Sequence, residues 1–358
     1  MALPRLDDVD DLDAHHLLVL PAGVGPESLE VLATSRFPRA ARDATATPPP
    51  VVARSGRPAG PPPGVLRLSR LSTVAGPYQV DRGVATELGL PVAAGTAYVL
   101  DTPTERGAPP WSEGDRDGLA RAFPEGLPVR DEARVLEWAI AVARRVAGAV
   151  RTAAGPGRAP VVLTPDPAAA VDLTVWSDLW LDPDRALAVM RQALPRAYLN
   201  LPEGTWQGPP DDWGRDLPGG GTAVVPGTEA LTPEQRRYLH REAEAYDEVM
   251  LAEPPPMDAY GLLADLDLDG MIALEIGPEP PPPVVAALPW AADGAVCYRV
   301  RWEPVDETGL EDERAPLAHR VARGRATPLV VAVARAVHAA VGGEVTDMMG
   351  FVVDPADL

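Results

Sequence analysis

The chain of 358 residues contains no lysine, and all 32 of its basic residues are arginine. Without lysine there is no ammonium group for a standard P-loop, a Schiff-base enzyme or a protein kinase, so these three classes are excluded. Asparagine and isoleucine are also scarce, with Asn200 alone and isoleucine only at 140, 272 and 276. The scarce residues are those with AT-rich codons, and this usage is typical of a GC-rich bacterial genome.

Cysteine and positive charge are the other shortages. Cys297 is the only cysteine and lies in the strand-like run AVCYRVRW, which excludes a disulfide framework and predicts a buried structural thiol. The net charge of −20 repels phosphate backbones, so no nucleic-acid partner is expected. The start, MALPRLDDVDDLD, is acidic and no apolar run of about 18 residues follows, which favours a cytoplasmic location and no membrane contact.

Two pairs of segments resemble each other in the same order along the chain, which indicates an internal duplication. Residues 26–40 and 183–197 share a proline, an acidic residue and a Pro-Arg-Ala ending at an offset of 157. Residues 142–150 and 333–341 share the pattern V-A-R-x-V-x-x-A-V at an offset of 191. The difference between the offsets predicts an insertion of about thirty residues in the second copy.

Each copy reads as a strand, a helix that begins at a proline, one or two further strands, a long helix and a final strand. Apolar residues at three- and four-residue steps predict the two long amphipathic helices, one ending near 150 and the other at 341. This order predicts an α+β fold of two tandem ferredoxin-like βαββαβ copies, each an antiparallel sheet with helices on one face. The predicted domains are residues 1–168 and 169–358, which form a pseudo-dimer within one chain.

Two stretches rich in proline and glycine interrupt this order. Residues 44–64 are predicted to form an extended surface linker inside the first copy. Residues 202–256 are predicted to form an inserted loop and helix in the second copy. In this insertion Trp206 and Trp213 either line a pocket or, as we favour, hold an irregular loop against the core.

No histidine falls in a recognisable catalytic or zinc motif. His15 and His16 open the first strand and point to opposite faces, so they cannot chelate one ion. His240 and Glu244 of the inserted helix are interpreted as a solvated pair, because no third metal ligand is evident. His338 is interpreted as a partly buried residue of the second long helix. We therefore predict no catalytic residue and no cofactor.

Several polar residues are interpreted as turn or cap residues. Asp166 and Asp354 each precede a proline after the last strand of their copy, which predicts a turn. Residues 115–132 concentrate charge ahead of the first long helix and are interpreted as a solvated loop rather than the lining of a cleft. Asp131 is expected to cap that helix. The tetrapeptide TPEQ at 232–235 predicts a capping box at the start of the inserted helix.

The segment ADLDLDGMIALEI, residues 264–276, resembles the opening half of a calcium-binding EF-hand loop. Three alternating aspartates precede Gly270, as such a loop requires. However, the position of the bidentate glutamate is occupied by Ile276, and prolines on both sides leave no room for flanking helices. The segment is therefore not an EF-hand.

A β-hairpin is the favoured interpretation of this segment. A three-residue turn at 269–271 places Leu266 opposite Leu274, so that apolar residues share one face. The outer face then carries three carboxylates, which remain candidate metal ligands: Asp265, Asp267 and Glu275.

Two functional hypotheses follow. The first is a monomeric, non-catalytic binding or regulatory protein that contacts an unknown protein or small molecule, because the chain combines a duplicated α+β unit with no catalytic signature. The alternative is a hydrolase-type enzyme that uses carboxylates or a bound metal in a cleft between the copies. A preformed pocket in which a histidine and carboxylates converge with shifted pKa values would favour the alternative.

Overall fold

A computed structural model describes residues 3–51, 62–91, 93–111, 114–155, 157–200, 232–235, 237–239, 241–242, 245 and 259–358. The protein is α+β and contains two antiparallel sheets of seven strands. The chain divides into two compact units, one formed by Met1–Leu199 with Gly261–Leu358 and the other by Asn200–Tyr260. Within the described residues, every helix is too short or too polar to cross a lipid bilayer.

The first sheet comprises β1 (His16–Pro21), β2 (Ala41–Arg42), β3 (Gly64–Arg67), β4 (Thr73–Gln79), β5 (Ala94–Asp101), β6 (Ala149–Arg151) and β7 (Val162–Leu163). The strands lie in the order β2-β3-β4-β5-β1-β6-β7 and pair antiparallel. In the middle of this sheet, Leu18 of β1 pairs with Tyr98 on one side and Val150 on the other.

The second sheet comprises β8 (Leu173–Ser177), β9 (Tyr198–Asn200), β10 (Tyr260–Asp265), β11 (Met271–Pro278), β12 (Val296–Glu303), β13 (Glu344–Asp347) and β14 (Val352–Val353). The order β9-β10-β11-β12-β8-β13-β14 repeats that of the first sheet, strand for strand. Val175 of β8 pairs with Tyr298 and Val345, as Leu18 pairs with Tyr98 and Val150.

The helices also recur in the same places. The first half contains α1 (Pro26–Arg36), α2 (Arg82–Glu87), α3 (Leu119–Ala122) and α4 (Arg130–Arg145), and the second contains α5 (Pro183–Ala193), α6 (Pro283–Ala286), α7 (Thr308–Glu311) and α8 (Leu317–Val341). One-turn 3-10 helices lie at Leu6–Asp8, Leu12–Ala14, Pro167–Ala169, Asp267–Asp269, Pro289–Ala291 and Pro355–Asp357. As the offset of 157 predicts, α1 and α5 both begin at a proline followed by an acidic residue, which suits the positive end of the helix dipole.

Apolar residues cover both faces of the first sheet. Leu18 and Leu20 of β1 face α1 and α4 and belong to a core that contains the fully buried Trp138. Leu17 and Val19 face the other way and pack with Val84 of α2. Each fully buried side chain of this size contributes about 1.5–3 kcal/mol. The expectation that helices cover only one face of each sheet is therefore wrong, because α2 packs on the opposite face from α1 and α4. This helix is too short and too weakly periodic to be predicted from the sequence.

The repeat inferred from the sequence needs one correction at the long helices. Residues 333–341 are helical throughout, whereas residues 142–150 leave α4 and enter β6. Strand pairing equates Val150 with Val345, because each pairs with the residues of β1 and β8 that the offset of 157 equates. The structural offset is therefore 195, about one helical turn away from the predicted 191.

Two glycines support this corrected register. A Cβ atom on Gly148 would overlap the carbonyl oxygen of Val19, and one on Gly343 would overlap that of Trp176. These glycines are 195 residues apart, and the two carbonyls belong to equivalent positions of β1 and β8. At both places, only glycine lets the chain pass from the long helix into the next strand so close to the central strand.

The hairpin formed by β10 and β11 has a longer connection than the sequence predicts. Residues 266–270 form it, with a 3-10 turn in place of the predicted three-residue turn. The side chain of Asp265 accepts a hydrogen bond from the N–H of Asp267 at 2.7 Å and turns the chain out of the strand. As a result Leu268 is 92% exposed rather than paired on the apolar face.

The predicted capping box at the start of the inserted helix is confirmed. The N–H of Thr232 donates to Gln235 Oε1 at 2.8 Å, and the N–H of Gln235 donates to Thr232 Oγ1 at 3.3 Å. The remaining predictions for the insertion, and the central part of the linker at 44–64, lie outside the described residues; they concern Trp206, Trp213, His240 and Glu244.

Candidate functional site

Two of the three candidate metal ligands, Asp265 and Glu275, already have partners within the protein. Asp265 accepts the N–H of Asp267, whereas Glu275 lies in β11 and accepts a hydrogen bond from Arg301 at 3.1 Å. Asp269, their neighbour, pairs with Arg325 at 3.3 Å. In the described ranges of the chain, no group of three or more His, Cys, Asp or Glu side chains is arranged to hold a metal ion.

His16 belongs to a closed buried network. Its Nδ1 accepts the N–H of Ala153 at 2.8 Å, so the ring proton is on Nε2, which donates to Glu132 Oε1 at 3.0 Å. The other oxygen of Glu132 accepts the N–H of Glu105 at 2.8 Å and a hydrogen bond from Arg106. Because both ring nitrogens are occupied, this histidine supports the fold and is not available to a substrate.

The pKa of Glu132 reflects this network. Burial on its own raises the pKa of the carboxyl group, but the hydrogen bonds from His16, Arg106 and the Glu105 N–H outweigh burial and hold the pKa below its ordinary value. Glu132 lies fully buried in the first turn of α4, and its partners come from β1 and from the loop after β5. The network therefore ties the N-terminal end of α4 to the sheet.

Other polar predictions are confirmed in part. Asp166 and Asp354 form the predicted turns and accept backbone N–H groups at 3.0 and 2.9 Å. His338 is half-buried and lies 3.3 Å from the Gly343 carbonyl oxygen. The prediction for Asp131 is wrong: α4 has no side-chain cap, and this carboxylate accepts the hydroxyl of Ser69 at 2.7 Å instead.

Cys297 is buried, as predicted. Burial raises the pKa of its thiol to about 12, so the thiolate that acts as a nucleophile is not formed at neutral pH.

A cavity of about 200 Å³ lies where the C-terminal end of α4, the chain between the two sheets and the N-terminal part of α8 meet. Its polar lining combines four arginines, four acidic residues and one histidine: Arg116, Arg144, Arg301, Arg323, Asp166, Asp172, Asp312, Glu313 and His319. Its apolar lining includes Val171, Trp302, Leu310 and Met348. This concentration of ionisable groups makes the cavity the candidate functional site.

Local structure places these groups. Arg116 lies in a tight turn before α3, in which Asp115 accepts the N–H of Ala120 at 2.8 Å. Asp172 directly precedes β8, and Trp302 is held in β12 by the hydrogen bond from its Nε1 to the carbonyl of Asp269 at 2.8 Å. The site is therefore built on the ends of regular elements.

Most charges in the cavity are already paired. Arg323 and Asp166 form a salt bridge at 2.6 Å. Arg144 pairs with Asp117, and Arg301 pairs with Glu275 at 3.1 Å. At the rim of the cavity, Glu313 forms a salt bridge with Arg121 at 2.7 Å.

Two charges differ from the rest. Arg116 donates to the carbonyl of Ala169 at 2.9 Å and contacts the sulfur of Met348 at 3.6 Å, but no carboxylate of the described chain forms a salt bridge with it. Asp172 accepts the N–H of Trp302 at 3.0 Å, and no arginine in the same set of residues pairs with it. Among the residues that the structure describes, Arg116 and Asp172 thus lack ionic partners, and so does Asp312, which is exposed at the rim of the cavity.

Two deeply buried side chains also have atoms that lack partners. Arg144 is 1% exposed and His319 is 9% exposed. Within the described residues, Arg144 Nε and His319 Nδ1 have no hydrogen-bond partner. Buried polar atoms in native proteins are almost always satisfied, so a water or a ligand in the cavity would complete these two atoms.

The pKa values of the cavity residues are shifted in directions that follow from burial. Burial and then the neighbouring Arg144 lower the pKa of Arg116. Burial raises the pKa of Asp172, and burial followed by the charge of Arg323 lowers the pKa of His319. Each shift disfavours the charged form, as expected for groups that are removed from water and incompletely paired.

Sequence reasoning missed this site. Arg116 belongs to the segment 115–132, and the interpretation of that segment as a solvated loop is wrong for this residue. Asp172, His319 and Arg323 belong to no motif, and the only signal was the concentration of charge ahead of α4. No protein family, curated protein or solved structure matches the chain.

Proposed function

We propose that the chain is a non-catalytic binding protein and that its ligand is a small molecule whose carboxylate is held by Arg116 in the cavity. One observation carries this proposal: the half-buried Arg116 has no carboxylate partner among the described residues, whereas Arg144, Arg301 and Arg323 each have one. A guanidinium group presents two parallel N–H donors that match a carboxylate. A ligand carboxylate would complete the pairing.

The size of the cavity limits the ligand. Its volume of about 200 Å³ is below the roughly 300–1,000 Å³ of sites for drug-sized molecules, so a compact metabolite is expected. Val171, Leu310 and Met348 provide apolar contacts for a short hydrocarbon portion.

Calorimetric titration with short carboxylates such as acetate, propionate and isovalerate tests the proposal. We expect binding by the wild-type chain and a loss of at least about 30-fold in affinity for Arg116→Gln, because the charge-paired group is removed. Arg70→Gln is the matched control, since Arg70 is exposed and lies outside the cavity. Equal binding by Arg116→Gln and the wild type would overturn the proposal, as would no binding of any carboxylate.

A second candidate function is supported by a different observation. Asp172 and His319 line one cavity and have pKa values shifted toward their neutral forms, as in a general acid and a general base. A hydrolase-type activity would then be lost in both Asp172→Asn and His319→Gln but kept in Arg70→Gln. Assays with p-nitrophenyl esters and phosphates test it, and an absence of turnover by the wild type would exclude hydrolysis of these substrates.

We also infer that the two halves descend from one ferredoxin-like unit. The inner strands β4-β5-β1-β6 and β11-β12-β8-β13 follow the ferredoxin-like order, with the long helix of each half between the same two strands. The outer strands extend this unit. In an experimental structure, residues 16–151 should superpose on 173–347 with Gly148 on Gly343. A different strand order in the two halves would contradict a common origin.

A further inference from the structure

The cavity contains two opposite charges, Arg116 and Asp172, that both lack an ionic partner among the described residues. Arg116 and Asp172 lie near enough for each to affect the pKa of the other, but no salt bridge joins them. A ligand with a carboxylate alone would pair with Arg116 but would place a second negative charge in the same small space as Asp172. Asp312, which is exposed at the rim, also has no ionic partner among the residues that the structure describes. The unpaired charge of the site is therefore not simply positive.

We propose that the ligand is a small zwitterion of the amino-acid class, whose carboxylate pairs with Arg116 and whose ammonium group pairs with Asp172. This inference rests on the proposed function of the cavity and specifies its ligand. Such a molecule pairs with Arg116 and Asp172 at once and adds no net charge. An inorganic anion or a simple amine would satisfy only one of them.

The two buried atoms without partners fit the same ligand. Arg144 Nε carries an N–H that can donate to the second carboxylate oxygen. Burial and then the charge of Arg323 lower the pKa of His319 and favour its neutral form, in which Nδ1, which has no partner among the described residues, can accept a hydrogen bond. An ammonium group has three N–H donors and can serve Asp172 and His319 together. The donor and acceptor inventory of the cavity is thus complementary to both ends of an amino acid.

Matched ligands separate this inference from the proposed function. For each of alanine, valine and leucine, the amino acid is compared by calorimetry with the acid that lacks the amino group and the amine that lacks the carboxyl group. We expect at least one amino acid to bind about tenfold or more tightly than either of its fragments. We expect Asp172→Asn to weaken that amino acid about 30-fold and to leave its deaminated acid unchanged or tighter. Asp178→Asn, an exposed aspartate after β8, is the control.

The outcomes are distinguishable. If the deaminated acids bind as tightly as the amino acids, the zwitterion is wrong but a carboxylate site remains. If the amines bind as tightly as the amino acids, or if Asp172→Asn weakens both ligands equally, the pairing proposed for the ammonium group is wrong. If neither acids nor amino acids bind to the full chain, the proposed function fails as well. Circular dichroism of each variant shows whether a loss of binding arises from misfolding.

Discussion

Replacing Glu132 with glutamine tests the argument that a buried charge network joins α4 to the first sheet. Glutamine keeps the size of the side chain but removes its charge and turns one acceptor oxygen into an NH₂ donor. That donor must then face either the N–H of His16, at 3.0 Å, or the N–H of Glu105, at 2.8 Å. In either orientation a donor meets a donor, and Arg106 loses its anionic partner.

The expected loss of unfolding free energy depends on how deeply Glu132 and its partner Arg106 are buried. Removing one partner of a buried pair costs about 3–5 kcal/mol. We expect about 3 kcal/mol for Glu132→Gln, at the lower end of that range, because glutamine keeps one acceptor and the side chain of Arg106 is 32% exposed. The folded protein lowers the pKa of Glu132, so the carboxylate contributes stability above its unfolded pKa of about 4.3 and loses that contribution as the pH falls through the folded pKa.

Urea denaturation from pH 7 down to pH 3 measures both quantities. The difference in unfolding free energy between wild type and Glu132→Gln should be full at neutral pH and should shrink in acid. Glu137→Gln serves as the control, since Glu137 is exposed on the same helix. A loss at pH 7 no larger than the control's, which should stay within about 0.5 kcal/mol, would refute the reasoning, as would a difference that does not change with pH.

Three further predictions concern buried groups and glycine. Cys297 should resist alkylation in the native protein at pH 8 and react fully after denaturation, because burial raises its pKa to about 12; rapid native labelling would contradict its burial. Burial also raises the pKa values of Tyr78 and Tyr98 to about 12, so the folded state keeps their protons and stability should fall as the pH rises above about 10; ultraviolet titration that finds both ionised by pH 10.5 or so would refute this. Gly343→Ala should destabilise the protein by at least about 1 kcal/mol more than Gly342→Ala, because both have positive φ but only Gly343 approaches a backbone carbonyl of β8; equal denaturation midpoints would contradict that contact.

Local signals in the sequence were sufficient for the first helix of each half and for the central strands. Proline followed by an acidic residue marks the start of both α1 and α5, where dipole and backbone preferences agree. The predicted end of α4 was wrong because the regular spacing of valines continues past the true end of the helix. Ala147 has a φ of 53°, which is incompatible with a continuing α-helix. The predicted hairpin turn was wrong for a similar reason. Asp267 has a φ of 57°, and the alternation of apolar and polar residues does not reveal such a backbone conformation.

The candidate site depends on placement that no local pattern carries. Arg116, Asp172 and His319 come from a turn, a strand entry and a helix in distant parts of the chain. The sequence around each of these residues is ordinary for a polar surface segment. The composition of the chain indicated only that acidic residues are interspersed with arginine. Their significance comes from burial together and from the absence of pairing, and both depend on how the two halves pack.

In the proposed complex, one small amino acid pairs with both Arg116 and Asp172. A crystal structure of the full chain with the tightest-binding amino acid tests this most directly. We expect a ligand carboxylate at about 2.7–2.9 Å from Arg116 and an ammonium group at a similar distance from Asp172, with Arg144 Nε and His319 Nδ1 both hydrogen-bonded. A ligand bound elsewhere, or a cavity in which side chains of the protein itself pair Arg116 and Asp172, would contradict it.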